Sequence, residues 1–167
     1  MSFRKFIKKL VLFFFVVFFI NYFYFNNNFV LGNDLSINAR SYVVLDRKSK
    51  KVLIGKNEYT KAKMASTTKI MTATIILENC NLDDIVTISK KSANTGGSRL
   101  GLKTNDKISV LNLLYGLLLC SGNDAAVALA EYCSGSIPEF CNLMNQKAIE
   151  LGLTNSHFET PHGLDSD

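Results

Sequence analysis

The sequence predicts an α/β domain: a short antiparallel hairpin followed by a series of helices, behind an apolar N-terminal leader. Three observations carry this. Two β-rich runs flank one polar turn early in the chain, and apolar residues recur at helical spacing in four later segments. Ten of the twelve phenylalanines lie in residues 1–30, with only Phe140 and Phe158 beyond them, so the N-terminus is a separate compositional zone. At 167 residues the chain has room for one domain, or for part of a larger one.

The leader comes first. Arg4, Lys5, Lys8 and Lys9 precede Leu10–Phe25, where fifteen of sixteen side chains are apolar or aromatic and Asn21 is the exception. A basic flank before an apolar run is the pattern of a secretory signal. Val30 and Gly32 suit cleavage after Gly32, which makes residues 1–32 a signal peptide and 33–167 the mature domain. An uncleaved membrane anchor is the other reading, since Leu10–Asn33 is an uncharged stretch of 24 residues and a spanning helix needs roughly 20. Either way the rest is expected outside the cytoplasm, in the cell envelope, because the basic flank stays inside. Those four charges account for most of the formal +5; after position 10 there are 15 basic against 14 acidic residues, so a nucleic-acid footprint is not expected.

Ser41–Leu45 and Lys51–Ile54, separated by D-R-K-S-K, are expected to pair as the hairpin. Two strands alone are marginal, so the hairpin calls for further sheet. Ile70–Leu77 follows as a helix with Ser66 at or near its start and Ile70, Ala73, Ile76 and Leu77 on one apolar face. A short strand is expected at Ile85–Ile88, then helices over Val110–Leu119, Asp124–Tyr132 and Pro138–Leu151. The last opens on proline and is stopped by Gly152.

Chemistry resides in two polar segments. Ser66-Thr67-Thr68-Lys69 sets a hydroxyl and an amine at i and i+3, one helical turn apart, where the amine can reach the hydroxyl. A lysine whose pKa is lowered by burial can take the serine proton and activate it as a nucleophile. A helix cap followed by a solvated lysine produces the same four letters. Ser121-Gly122-Asn123-Asp124 lies between two helices, with Asn123 offering an amide donor and acceptor and Ser121 a proton relay. An interhelical turn with an N-cap is the plain alternative.

The remaining candidates carry less. Cys80, Cys120, Cys133 and Cys141 form no C-x-x-C pair and have no histidine at zinc spacing, so free buried thiols are expected. His157 and His162 with Asp165 are poor ligand spacing in a turn containing proline and glycine; neither a metal nor a cofactor is expected. Thr95–Arg99 reads as a loop, and Arg99 and Lys103 as loop or surface charges.

Taken together, A-S-T-T-K-I-M-T-A, G-S-R-L-G-L, L-L-Y-G-L-L-L-C-S-G-N-D-A-A, M-N-Q-K-A-I-E-L-G-L and P-H-G-L-D occur in an order and spacing that resemble the low-molecular-weight penicillin-binding proteins, serine-type D-alanyl-D-alanine carboxypeptidases. S-G-N in place of S-D-N separates the chain from class A β-lactamases. The resemblance spans nearly all of residues 40–167. It implies the serine β-lactamase/DD-peptidase fold, a helical subdomain beside an antiparallel sheet, of which this chain holds the first hairpin.

By the same resemblance, Ser66 is the nucleophile that forms the acyl-enzyme and Lys69 its base. Ser121 is the proton relay, Asn123 orients substrate, and the Ser66 N–H is one oxyanion donor. The implied substrate is a peptidoglycan stem peptide ending in D-alanyl-D-alanine, with β-lactams as covalent inhibitors. The family's H-x-S-T-A-like and K-T-G stretches are not in this sequence. A truncated catalytic domain with little activity of its own is therefore expected, and a non-catalytic envelope remnant is the alternative.

Overall fold

The computed structural model describes Phe13–Phe15, Phe18 and residues 37–164. The expected leader lies outside the described residues except for those four phenylalanines, which are helical and exposed. Among the described residues no helix is long and apolar enough to cross a membrane. The chain divides into two compact units, Met1–Thr60 and Lys61–Asp167.

The first unit holds the expected hairpin. Strands β1 (Tyr42–Leu45) and β2 (Val52–Lys56) pair antiparallel, with Val43 opposite Gly55 and a register shift between Val44 and Leu45. Asp46 builds the turn: its carboxylate accepts both the backbone N–H and the hydroxyl of Ser49 at 2.6 Å. Lys50 completes the reversal at φ 59°. Val43, Val44, Leu45, Val52 and Leu53 remain exposed.

The second unit is mainly helical. Its elements are a 3-10 turn (Ala65–Thr67), α1 (Thr68–Asn79), β3 (Ile85–Thr87), α2 (Lys90–Ala93), β4 (Lys107–Ser109), α3 (Val110–Leu119), α4 (Asn123–Ser134) and α5 (Ile137–Glu150). The fold class is the expected one, and the structure adds a second two-stranded ladder in which β3 pairs antiparallel with β4. Strand β4 and helix α2 were not anticipated, each being too short for a hydrophobic period to show.

Helix α4 is the hub, packing against α1, α2, α3, α5 and β3. Ala125, Ala126, Ala128 and Ala130 make this possible, because small side chains let neighbouring axes approach closely. All four are at most 2% exposed. Ile75, Ile76, Leu113, Leu117, Leu129, Phe140 and Met144 fill the space around them. Serines cap three helices: Ser89, Ser109 and Ser136 each accept a backbone N–H from three residues on. Gly135, at φ 79°, ends α4 in the left-handed conformation that disfavours any side chain.

The buried face of α1 differs from the one expected. Ile70 and Leu77 are 66% and 59% exposed, while Thr68, Lys69, Met71, Thr72, Ile75 and Ile76 are buried with Ala73. Apolar periodicity misjudged this face because three of its inward positions, Thr68, Lys69 and Thr72, are polar, and Lys69 and Thr72 find hydrogen-bond partners inside.

Candidate active site

Ser66 sits in the 3-10 turn that leads into α1, and its residue is exposed. Ala65 takes φ 45° to set the turn, and the Thr67 hydroxyl donates to the Met64 carbonyl at 2.5 Å. One turn on, Lys69 is only 3% exposed. Its Nζ donates to Ser66 Oγ at 3.1 Å and to the His162 carbonyl at 3.1 Å. Burial lowers the Lys69 pKa from 10.5, because the ammonium loses water that two oxygens only partly replace.

Ser121 arrives from the turn between α3 and α4. It holds φ 53°, a left-handed conformation uncommon for a residue with a side chain, and its Oγ donates to Ser66 Oγ at 3.1 Å. The turn is tied by the Cys120 and Gly122 N–H groups, both donating to the Gly116 carbonyl. Asn123, 3% exposed, follows at the start of α4. Its backbone N–H donates to the Ser98 carbonyl and its Nδ2 to the Gly96 carbonyl, both at 2.8 Å. The structure thus brings Ser66, Lys69 and Ser121 onto one oxygen and sets Asn123 two residues further along.

Two supporting features escaped the sequence reading. Asp124, treated there only as part of a turn, is fully buried and accepts N–H donors from Leu100 at 2.8 Å, Gly101 at 2.8 Å, Leu102 at 3.1 Å and Ala125 at 2.9 Å. Burial by itself raises this carboxyl; the N–H donors of Leu100, Leu102, Gly101 and Ala125 outweigh it, so the pKa lies below 3.8. Asn123 holds Gly96 and Ser98 while Asp124 holds Leu100, Gly101 and Leu102, so residues 96–102 form a strap tied to the start of α4. Gly97 is required there, at φ 80°, since a Cβ would meet Asn123 Nδ2 at 2.5 Å. Arg99 is not merely a loop charge, because its guanidinium donates to the Ala93 carbonyl.

The second feature is Pro161–Gly163. Beyond the His162 carbonyl on Lys69, the Pro161 carbonyl accepts the buried Thr72 hydroxyl at 2.6 Å. His162 is half-buried; burial first, and the Lys69 charge second, lower its pKa from 6.5. Its Nδ1 accepts the Leu164 N–H at 3.2 Å. His157 lies apart and exposed, near Glu159, and Asp165 lies outside the described residues. Among the described residues, no group of three or more His, Cys, Asp or Glu is placed to hold a metal.

The Ser66 oxygen, shared by a buried lysine one turn on and by a second serine from the turn before a neighbouring helix, is the centre of the candidate site. A family model described as D-alanyl-D-alanine carboxypeptidase matches residues 28–167, and the chain belongs to that family. It is 42% identical over 137 residues to D-alanyl-D-alanine carboxypeptidase DacF of Bacillus subtilis, covering 79% of this chain and 35% of that one. It is also 42% identical to DacC of Escherichia coli, covering 78% and 36%. Among solved structures, DacD of Francisella tularensis superposes with TM-score 0.73 at 39% identity, over 80% of this chain and 33% of that one. Penicillin binding protein 5 of Haemophilus influenzae gives TM-score 0.73 at 37% identity, over 78% and 40%. The chain spans about a third of the length of the curated relatives it matches.

Proposed function

We propose that the site performs serine-type D-alanyl-D-alanine carboxypeptidase chemistry on peptidoglycan stem peptides. The observation that carries this is the Ser66 oxygen, which has Lys69 Nζ and Ser121 Oγ each at 3.1 Å. In the neutral form favoured by burial, Lys69 accepts the Ser66 proton as Oγ attacks the carbonyl carbon of the penultimate D-alanine. The Ser66 N–H, at the start of the helix, donates to the developing oxyanion. Collapse of the tetrahedral intermediate breaks the C–N bond. The proton reaches the departing D-alanine nitrogen through Ser121, and Asn123 orients the peptide. Water then hydrolyses the ester on Ser66, with Lys69 again as the base.

β-Lactams react at the same oxygen, since opening their ring gives an ester that hydrolyses slowly. The basic flank and apolar run of residues 1–32 support export, with the domain working in the envelope and held at the membrane if the segment stays uncleaved. Fluorescent penicillin is the direct test: the chain takes up covalent label, and Ser66→Ala takes up none. Label that survives the substitution overturns the assigned nucleophile. No label on the unaltered chain favours the non-catalytic reading.

A further inference from the structure

The turn from Thr160 to Leu164 presents two carbonyls to the inner face of α1, and three hydrogen bonds shape it. The Pro161 carbonyl accepts the Thr72 hydroxyl at 2.6 Å, and the His162 carbonyl accepts Lys69 Nζ at 3.1 Å. Within the turn, the Thr160 hydroxyl donates to the Leu164 carbonyl and accepts the Gly163 N–H, both at 3.0 Å. The third bond involves a titratable side chain: the Leu164 N–H donates to His162 Nδ1 at 3.2 Å. An imidazole nitrogen that accepts carries no proton, so the neutral ring keeps its hydrogen on Nε2. Leu164 is also where the turn meets the strap, its Cδ1 lying 3.4 Å from the place a Gly97 Cβ would take. Through Leu164, the His162 ring therefore closes the same turn whose carbonyl holds Lys69.

We propose that His162 is a positioning residue: its neutral imidazole fastens the 160–164 turn and so keeps the His162 carbonyl on Lys69, and protonation at Nδ1 unfastens it. The effect on the reaction rests on the reading of Lys69 as the base of Ser66. A proton on Nδ1 takes the lone pair that the Leu164 N–H uses and leaves two N–H groups facing each other across 3.2 Å. The ring must then turn away or the turn must open. Either change removes the closure behind the carbonyl that aims the Lys69 amine at Ser66 Oγ.

The charge that bears on the ring is the Lys69 ammonium from α1; with burial as the larger cause, it lowers the His162 pKa from 6.5, so the turn is fastened at neutral pH. The other ionisable groups around the turn have partners of their own. Arg99 of the strap donates to the Ala93 carbonyl, Asp124 of α4 accepts the Leu100, Gly101 and Leu102 N–H groups, and His157 and Glu159 face each other at 3.9 Å. Protonation of His162 acts on Lys69 in two opposed ways. Repulsion favours the neutral amine and speeds attack, by about tenfold for each pKa unit. A misplaced amine slows attack, on the order of 10²-fold for a displacement of about 1 Å. Misplacement is the larger effect, so acid slows the site more steeply than Lys69 alone would.

The test is the rate of labelling by fluorescent penicillin from about pH 4.5 to pH 8, for the full chain, His162→Asn and His162→Ala. Asparagine keeps an acceptor for the N–H two residues on but does not titrate. While Lys69 alone titrates, the logarithm of the rate rises by about one per pH unit. In the parent the slope should exceed that value through the His162 titration, and in His162→Asn it should not. At neutral pH His162→Ala should label roughly 10- to 100-fold more slowly, with His162→Asn recovering most of the loss. A parent slope that stays the same or becomes shallower overturns the proposal, as does an alanine variant as fast as the parent or an asparagine variant as slow as alanine. Long-range 1H–15N correlation spectra of the imidazole give a readout that needs no reaction: a bare Nδ1 at neutral pH, and a Leu164 amide resonance that moves with the His162 titration. An Nδ1–H tautomer, or a Leu164 amide indifferent to that titration, overturns the proposal. No label on the unaltered chain counts against the proposed reaction instead, and the spectra then decide the fastening of the turn by themselves.

Discussion

The Ser121 hydroxyl donates to the Ser66 oxygen across 3.1 Å although the two serines are 55 residues apart in sequence. The contact depends on Ser121 holding φ 53°, which aims its side chain at the start of α1 instead of along α3. If Ser121 relays the proton to the leaving group, Ser121→Ala keeps the nucleophile and its base but loses the relay. Covalent labelling by fluorescent penicillin should then slow by roughly 10²- to 10⁴-fold while still saturating one site. Unchanged labelling kinetics would remove Ser121 from the reaction.

Lys69 gives a pH prediction with a definite sign. Its pKa in the folded chain is lowered from 10.5 by burial, so the neutral amine gains population as pH rises through that lowered value. The labelling rate should climb with pH and level off below 10.5, as measured by rapid mixing between about pH 6 and pH 10. The unfolded chain binds the Lys69 proton more tightly over the same window, so stability from this residue also rises with pH. A rate that falls with pH across that range would contradict Lys69 as base.

Part of this site was readable in the letters alone, and the reason is locality. Ser66 and Lys69 are one turn apart on a chain that reads as helix, and S-G-N-D marks a helix junction, so their chemistry shows within a few residues. The support for them is non-local or made of backbone. Asp124 meets N–H groups 22 to 24 residues away, and Lys69 is held by the carbonyl of His162, 93 residues on. A carbonyl has no residue signature, so nothing in P-H-G-L-D revealed that segment as a clamp. The same limit hid the true inner face of α1, where Lys69 and Thr72 take positions that a hydrophobic pattern assigns to Ile70 and Leu77.

Asp124 is the stability test of that non-local support. Asp124→Ala strands three consecutive N–H groups, at Leu100, Gly101 and Leu102, in a site the carboxylate had fully satisfied. Urea denaturation should show a loss of at least about 3 kcal/mol. The carboxyl pKa lies below 3.8, so its contribution is present above that pH and is lost as pH falls through the lowered value. Asp124→Asn keeps one acceptor and should lose less. A variant as stable as the parent at neutral pH would show that the strap is held by other contacts.

Gly163 separates packing at the site from chemistry. At φ 81° it lies so close to the serine turn that an added Cβ would come within 1.9 Å of the Ala65 carbonyl oxygen and 2.7 Å of Thr68 Oγ1. Ala65 adjoins Ser66 and Thr68 lies two residues beyond it, and neither atom is the tip of a long flexible chain. Gly163→Ala must therefore displace either the serine turn or the Pro161–Gly163 clamp, with a cost of roughly 3 kcal/mol from the contact and the backbone conformation together. Displacing the clamp draws the His162 carbonyl away from Lys69, leaving Ser66 in place but its base misaligned. The expected outcome is a lower denaturation midpoint together with slowed, not abolished, labelling on Ser66, in contrast to the complete loss in Ser66→Ala. Labelling at the parental rate in a folded Gly163→Ala chain would show that the clamp does not govern the position of Lys69.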